Sequence, residues 1–330
     1  MSHEHALRPF VTVAALAAAV VSGGLVALQA RINGQLAVEL GHSVLTALIS
    51  FGVGTLACAL ALLAWPRGRT GLVLIRDAVR DRRMTPWFLF GGVAGALMVT
   101  TQGLTAPVLG VALFTVALVG GQTIGSLVMD RRGVGAMAAT PLTPPRMVGA
   151  ALAVAAVIWA VSDRLHGDVA WLLLVLPFLA GIAVSWQQAV NGQLRQQAQS
   201  ALSATFVSFL AGTAVLAVAA AVEWLVAGPA HALPAEPWLY LGGLIGVVFV
   251  AGAAAIVPFT GVLLFGLATI AGQLAVAVLL DVLSPVSDTG LDLATVGGAA
   301  LAIVAVAVAS IRRPGHRGGG VTDSTGASSP

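Results

Sequence analysis

Eight stretches of the chain contain no Asp, Glu, Lys or Arg: residues 10–30, 43–65, 86–129, 147–162, 171–194, 196–222, 237–280 and 293–311. A helix of about 20 mostly apolar residues crosses a hydrocarbon core of roughly 30 Å. Only 9% of the 330 residues are charged, against roughly 25% in a soluble domain. Too few charges remain to cover a water-facing surface, which excludes a soluble enzyme. The sequence reads instead as an all-α polytopic membrane protein. The first stretch could be taken for a secretory signal, but it lacks an evident cleavage site and begins a repeat unit, so it counts as a span.

Two of the stretches, 86–129 and 237–280, are 44 residues long, about twice one crossing. Each carries a proline near its middle, Pro107 and Pro258, followed three residues later by Gly110 and Gly261. Proline removes a backbone donor and glycine relaxes the turn, so each long stretch is expected to form a tight helical hairpin. The total is then ten transmembrane helices.

The chain also repeats itself. Residues 29–55 align without gaps on 187–213, matching Gln29, Asn33, Gly34, Gln35, Ser50, Phe51, Gly54 and Thr55 with Gln187, Asn191, Gly192, Gln193, Ser208, Phe209, Gly212 and Thr213. Residues 86–130 align likewise on 237–281. There Pro86-Trp87, Gly91, Gly92, Gly95, Pro107, Gly110, Gly121, Gln122 and Asp130 match Pro237-Trp238, Gly242, Gly243, Gly246, Pro258, Gly261, Gly272, Gln273 and Asp281. Apolar chance would favour matched Leu or Ala over Gln, Asn, Pro and Trp.

Five helices per repeat is an odd number, so the second repeat is expected to enter the membrane from the opposite side. The arginines agree. All 16 basic residues are arginine, and 14 of them fall in loops on the side of the N-terminus. Only Arg31 and Arg164 lie on the other side. The positive-inside rule then places both termini in the cytoplasm. The loop 66–85 has six arginines and its counterpart 228–236 has none. The expected organisation is a cytoplasmic segment 1–9, a first five-helix repeat 10–163, an inverted second repeat 170–312 and a disordered tail 313–330. Such a basic balance reports loop orientation, and no nucleic-acid partner is expected. Trp65, Trp87, Trp171, Trp224 and Trp238 fall near span ends, as an interfacial belt requires.

The run Leu28-Gln29-Ala30-Arg31-Ile32-Asn33-Gly34-Gln35-Leu36, with Ser50-Phe51, Gly54-Thr55, Pro86-Trp87, Gly91-Gly92, Gly121-Gln122 and Asp130, resembles the YdcZ (DUF606) family of the drug/metabolite transporter (DMT) superfamily. The chain looks like its fused form, with two units in one polypeptide, over about residues 10–311. The resemblance implies a ten-helix DMT/EamA-like fold and an inner-membrane exporter, but no particular substrate. Arg31 and the arginine-rich loop 66–85 depart from the family pattern.

In an inverted-repeat carrier the substrate site is expected at the repeat interface near the midplane. The candidate substrate-binding residues are Gln122, Gln273, Gln29, Asn33, Gln187 and Asn191. An amide both donates and accepts, so a ring of them suits a neutral or zwitterionic ligand. Asn33 and Asn191, each followed by glycine, also read as helix-ending caps. Gln122 and Gln273 also read as interhelical glue. Gln102 on helix 3 adds polarity, with alanine at its counterpart, position 253. Asp130 and Asp281, at helix ends, are candidates for gating or coupling, with interfacial solvated carboxylates as the plainer reading. Arg31 is a third such candidate, facing Glu39, Asp163 or Asp281, or else snorkelling to headgroups. Glu223 reads as interfacial.

The lone Cys58 excludes an intramolecular disulfide or a Cys-based zinc site. The six histidines lie in loops or tails without metal spacing, so neither a metal nor another cofactor is expected. No nucleotide-binding P-loop occurs, which excludes a primary pump within this chain. The leading expectation is a secondary transporter exporting a small polar metabolite or drug-like compound by alternating access. The alternatives are a membrane-embedded enzyme, for which no acid/base pair is visible, and a channel or lipid scramblase on the same bundle. Besides the substrate, the expected partner is membrane lipid. Internal duplication suits a monomer, with a homodimer as the alternative.

Overall fold

The computed structural model describes residues 2–133, 144–161, 170–283 and 293–309. The helices are α1 (Ser2–Leu40), α2 (Ser43–Ala64), α3 (Pro66–Arg80), α4 (Gly92–Leu109) and α5 (Val111–Arg132), then α6 (Pro144–Val161), α7 (Ala170–Ala198), α8 (Ala201–Ala227), α9 (Gly242–Leu283) and α10 (Leu293–Ala309). Short 3-10 turns, Pro86–Gly91 and Pro237–Tyr240, lead into α4 and α9. Among the described residues, six helical segments are long and apolar enough to cross a membrane: Ala14–Leu40, Ser43–Ala64, Pro86–Leu109, Val111–Met129, Leu173–Ala198 and Ala201–Ala227. Met147–Ala160, Ala268–Leu283 and Leu293–Val308 are shorter apolar helices.

The bundle turns aliphatic side chains outward and holds polar ones inside. Leu56, Leu60 and Leu63 of α2 and Val218, Val222 and Leu225 of α8 are exposed, whereas Asn33, Gln102, Thr105 and Ser203 are buried. Lipid tails solvate such a surface; water would not.

At the centre, α2 crosses α8. The Phe51 and Phe209 rings lie 5.0 Å apart, and the Thr55 and Thr213 hydroxyls meet at 2.8 Å. Further along, the backbone amides of Val44 and Leu45 donate to the Glu223 carboxylate at 3.2 and 3.0 Å. Residue numbers rise along α2 as they fall along α8, so the two helices run antiparallel. A β-carbon at Gly54 would collide with the Phe209 ring, and one at Gly212 with the Phe51 ring. Matched positions thus face each other reciprocally.

The same reciprocity governs the other contacts. On α7, Gly91 and α4's Gly95 meet Asn191 and Gln187, while α5's Gly121 and Gly125 meet Phe178 and Ile182. On α1, α9's Gly242 and Gly246 meet Asn33 and Gln29, while Gly272 and Val276 meet Val20 and Gly24. The first long helix of each sequence repeat is therefore clasped by the glycine-rich helix pair of the other. Glycine is needed at these contacts because backbones touch there. A side chain at Gly92 would strike the Ser208 carbonyl, and one at Gly243 the Ser50 carbonyl.

Along α7, α4 runs antiparallel and α5 parallel, so the chain reverses between them. The reversal is at Gly110, whose φ of +80° is readily adopted only by glycine. Pro107 sits in the last turn of α4, where it removes one i→i−4 hydrogen bond and weakens the helix just before the reversal. In the second half, α9 is helical from Gly242 to Leu283 without an interruption at Pro258 or Gly261. A straight helix of 42 residues would be about 63 Å long. Phe249 and Ala268 nevertheless pack against the same residue, Ala19. The chain direction must therefore reverse within the span that α9 covers, between Phe249 and Ala268; the side chains of 250–267 lie outside the described residues.

Two local expectations need correction. The segment 66–85 is largely a helix, α3, and not a loop. Trp65 breaks α2 with an extended backbone, and Pro66 starts α3 at a position where proline is tolerated. The Arg82 amide then donates to Val79 and the Arg83 amide to Ala78, a Schellman closure. Asn33 and Asn191 do not end their helices either. α1 continues to Leu40 and α7 to Ala198. Packing overrides the turn preference of Asn-Gly: Asn33 is bonded to Gln102 of α4, and Gly34 faces Pro107 of the same helix.

Candidate functional site

Two polar clusters form where α1 and α7 are clasped. In the first, Asn33 Nδ2 donates to Gln102 Oε1 at 2.7 Å, and both residues are 0% exposed. Asn33 Oδ1, Gln102 Nε2 and Ser50 Oγ are buried there without a hydrogen-bond partner among the described residues. A β-carbon at Gly242 would touch both Asn33 Oδ1 and Ser50 Oγ, so these two oxygens flank one backbone position of α9. Gln29, also buried, lies against Gly246 one turn along α1.

The second cluster holds the matched residues on α7 and α8. Gln187 Nε2 donates to Ser208 Oγ at 3.3 Å, and Asn191 Oδ1 is buried beside Gly91 without a partner among the described residues. The counterpart of Gln102 in the second half, position 253, is alanine, and its side chain lies outside the described residues. The two clusters therefore share a scaffold and differ in hydrogen-bonding capacity. An amide deprived of partners inside an apolar bundle is costly, so the unmet groups around Asn33 and Gln102 mark the first cluster as the more demanding of the two.

Gln122 and Gln273 lie elsewhere. Gln122 is half-buried where α5 crosses α7 at Gly181, and its carbonyl accepts from Ser185 Oγ at 2.9 Å. That crossing is ten residues along α7 from Asn191, about 15 Å by helical rise. Gln273 is 3% exposed and follows Gly272 at the α1–α9 crossing near Val20, about 20 Å along α1 from Asn33. Neither glutamine side chain makes a hydrogen bond among the described residues. The six amides expected to form one ring thus fall at separate levels of the bundle.

The carboxylates are placed differently from expectation. Asp281 is not solvated; it is 9% exposed. Its Oδ1 and Oδ2 accept from the Val111 and Ala112 amides at 2.9 and 2.7 Å, so it caps α5 directly after the Gly110 break. A helix start has free amides and the positive end of its dipole, which is why a carboxylate settles there. Asp130's side chain lies outside the described residues. Glu223 is likewise more than interfacial. It caps α2 and lies 3.4 Å from His42 Nδ1. Arg31 is half-buried and makes no ion pair among the described residues. Glu39 instead accepts from Gln35 at 2.9 Å, and Asp163 lies outside the described residues.

Charge separates along the bundle. Glu39, Glu223 and Glu236 lie at one end, with His231 tied to the Glu39 carbonyl at 3.0 Å. The arginines of α3, Arg131, Arg132 and Arg195 lie at the other and are exposed. Sequence reasoning passed over Ser50 and Ser208 as site residues, although the duplication already pairs them. It also missed the capping roles of Asp281 and Glu223, which only tertiary contact reveals.

A protein-family model described as "Putative inner membrane exporter, YdcZ" matches residues 14–159 and again 172–308. Among curated proteins, none matches the chain. A solved structure, described only as "Crystal structure of protein", superposes with a TM-score of 0.52 at 20% identity, covering 92% of this chain and 96% of its own. At that identity the likeness is one of fold alone.

Proposed function

The chain belongs to the YdcZ family of inner membrane exporters, and from that premise we propose that it is a secondary carrier for a small neutral or zwitterionic compound. Membership favours a transporter over an enzyme. The carrier consists of two inverted five-helix repeats with both termini in the cytoplasm. The antiparallel crossing of α2 and α8 at matched residues supports inversion, because a two-fold axis relating antiparallel helices lies in the membrane plane. The one-sided distribution of arginine supports the orientation.

The observation that carries the substrate reading is the Asn33–Gln102 pair. Between them these side chains leave an acceptor and a donor unpaired among the described residues, with the Ser50 hydroxyl beside them. A ligand with its own adjacent donor and acceptor would satisfy all three when the repeats part. The second cluster, with Gln187, Asn191 and Ser208, takes over part of that role as access alternates. Gln29 lines the first cluster, while Gln122 and Gln273 hold the helix crossings on which the repeats move. Asp281 serves as a cap, so coupling does not run through it. Purified protein in proteoliposomes, loaded with a panel of labelled neutral and zwitterionic metabolites, should show saturable flux for some member of the panel. Flux that rises linearly with concentration for every solute would reject the carrier.

A further inference from the structure

We propose that α3 and the turn after it form a binding surface for anionic phospholipid headgroups. The segment 66–83 carries six arginines and two aspartates. Arg76 pairs with Asp77 and Arg83 with Asp81, each at 3.0 Å on an exposed surface. Arg67, Arg69, Arg80 and Arg82 have no carboxylate within 4 Å among the described residues. Four exposed guanidinium groups thus remain on one short element, each with donors that match a phosphate.

The placement of α3 selects lipid as the source of that phosphate. The helix lies across the α7–α8 turn. Gly71 meets the Ala198 carbonyl and Ser200, Gly68 meets Leu202, and the Ser203 hydroxyl donates to the Gly68 carbonyl at 2.7 Å. Ile75 and Ala78 complete the buried face against Leu194 and Ala198. Trp65 before the helix and Trp87 beyond it are both more than half exposed, and Val73 and Leu74 also face outward. Arginine, tryptophan and bare aliphatic side chains together fit the headgroup–acyl boundary, whereas a soluble acidic protein or nucleic acid would leave the aliphatics unmet. Arg82 occupies the post-helix position at φ +57°, where glycine is unstrained. The corresponding stretch of the second half, 228–236, has neither arginine nor helix.

Since α3 rests on the turn between α7 and α8, a bound headgroup would tie the two halves together at this end. The test is thermal unfolding of the full chain in phosphatidylcholine nanodiscs with and without phosphatidylglycerol. Phosphatidylglycerol should raise the unfolding midpoint by several degrees, and roughly 1 M salt should remove the gain through screening. The variant Arg67→Gln/Arg69→Gln/Arg80→Gln/Arg82→Gln should lose it, and the Arg→Lys version at the same positions should retain most of it. Should the Gln variant not fold, Arg82→Gly with Arg69→Gln, which relieves strain, gives the same reading through a reduced gain. An equal gain in wild type and the Gln-substituted variants, no gain at all, or the same gain from inorganic phosphate in phosphatidylcholine alone would overturn the proposal.

Discussion

Thr55 and Thr213, 158 residues apart, meet hydroxyl to hydroxyl at 2.8 Å where α2 crosses α8. They are matched positions of the internal repeat, so in the proposed inverted arrangement the contact would lie on the axis that relates the two halves. Any motion that parts the halves at this level must break it. In a Cys58→Ala background, Thr55→Cys with Thr213→Cys should form a disulfide under mild oxidation. The cross-linked protein should lose transport and regain it on reduction. Full activity in the oxidised state would show that α2 and α8 stay together throughout the cycle.

Asp281 should behave as a structural cap. Asp281→Ala leaves the Val111 and Ala112 amides without acceptors and should destabilise the protein by about 2 kcal/mol, the upper part of the range for caps. Asp281→Asn keeps an acceptor and should lose less. Chemical or thermal unfolding measures both. Undiminished stability together with abolished transport in Asp281→Asn would return the residue to a coupling role.

The clasp contacts set a sharp contrast between glycines. Gly92→Val and Gly243→Val should prevent folding, since a β-carbon at either position would overlap a backbone carbonyl, of Ser208 or Ser50. Gly52 has nothing within 4 Å of a β-carbon. Gly52→Ala should therefore be tolerated, with a gain of up to about 1 kcal/mol from helix propensity. Yield and size-exclusion profile in detergent distinguish these outcomes; a well-folded Gly92→Val protein would contradict the packing.

Orientation is tested by accessibility. Thr70 on α3 and Ala232 in the 228–236 segment are both exposed, and the inverted arrangement puts them on opposite sides. Single cysteines at these positions, in a Cys58→Ala background, should differ in labelling by an impermeant thiol reagent in intact cells, with only position 232 reacting. Equal labelling would refute inversion.

Much of this was legible in the sequence, and the exceptions have physical causes. Charge-free stretches and matched Gln, Asn, Pro and Trp residues disclose spans and duplication because lipid tolerates few charges and chance rarely matches polar residues. The reversal at Pro107–Gly110 is readable for the same local reasons. α3 was obscured because its buried face consists of Gly68, Gly71, Ile75 and Ala78, too weakly apolar to stand out among six arginines. Asn33 looked like a cap because Asn-Gly favours turns, and only contact with Gln102 and Pro107 shows why the helix continues. Asp281 looked solvated because position at a helix end says nothing about which other helix begins beside it.

The most direct measurement is solute counterflow in proteoliposomes, comparing wild type with Asn33→Leu, Gln102→Leu and Asn191→Leu. For a transported neutral or zwitterionic solute, wild type should show saturable exchange accelerated by unlabelled solute on the far side. Asn33→Leu and Gln102→Leu should lower kcat/KM at least tenfold, corresponding to about 1.4 kcal/mol of binding. Asn191→Leu should have a smaller effect, and all three proteins should remain folded. Exchange in Asn33→Leu and Gln102→Leu indistinguishable from wild type, or flux without acceleration by solute on the far side, would contradict a carrier built on these amides.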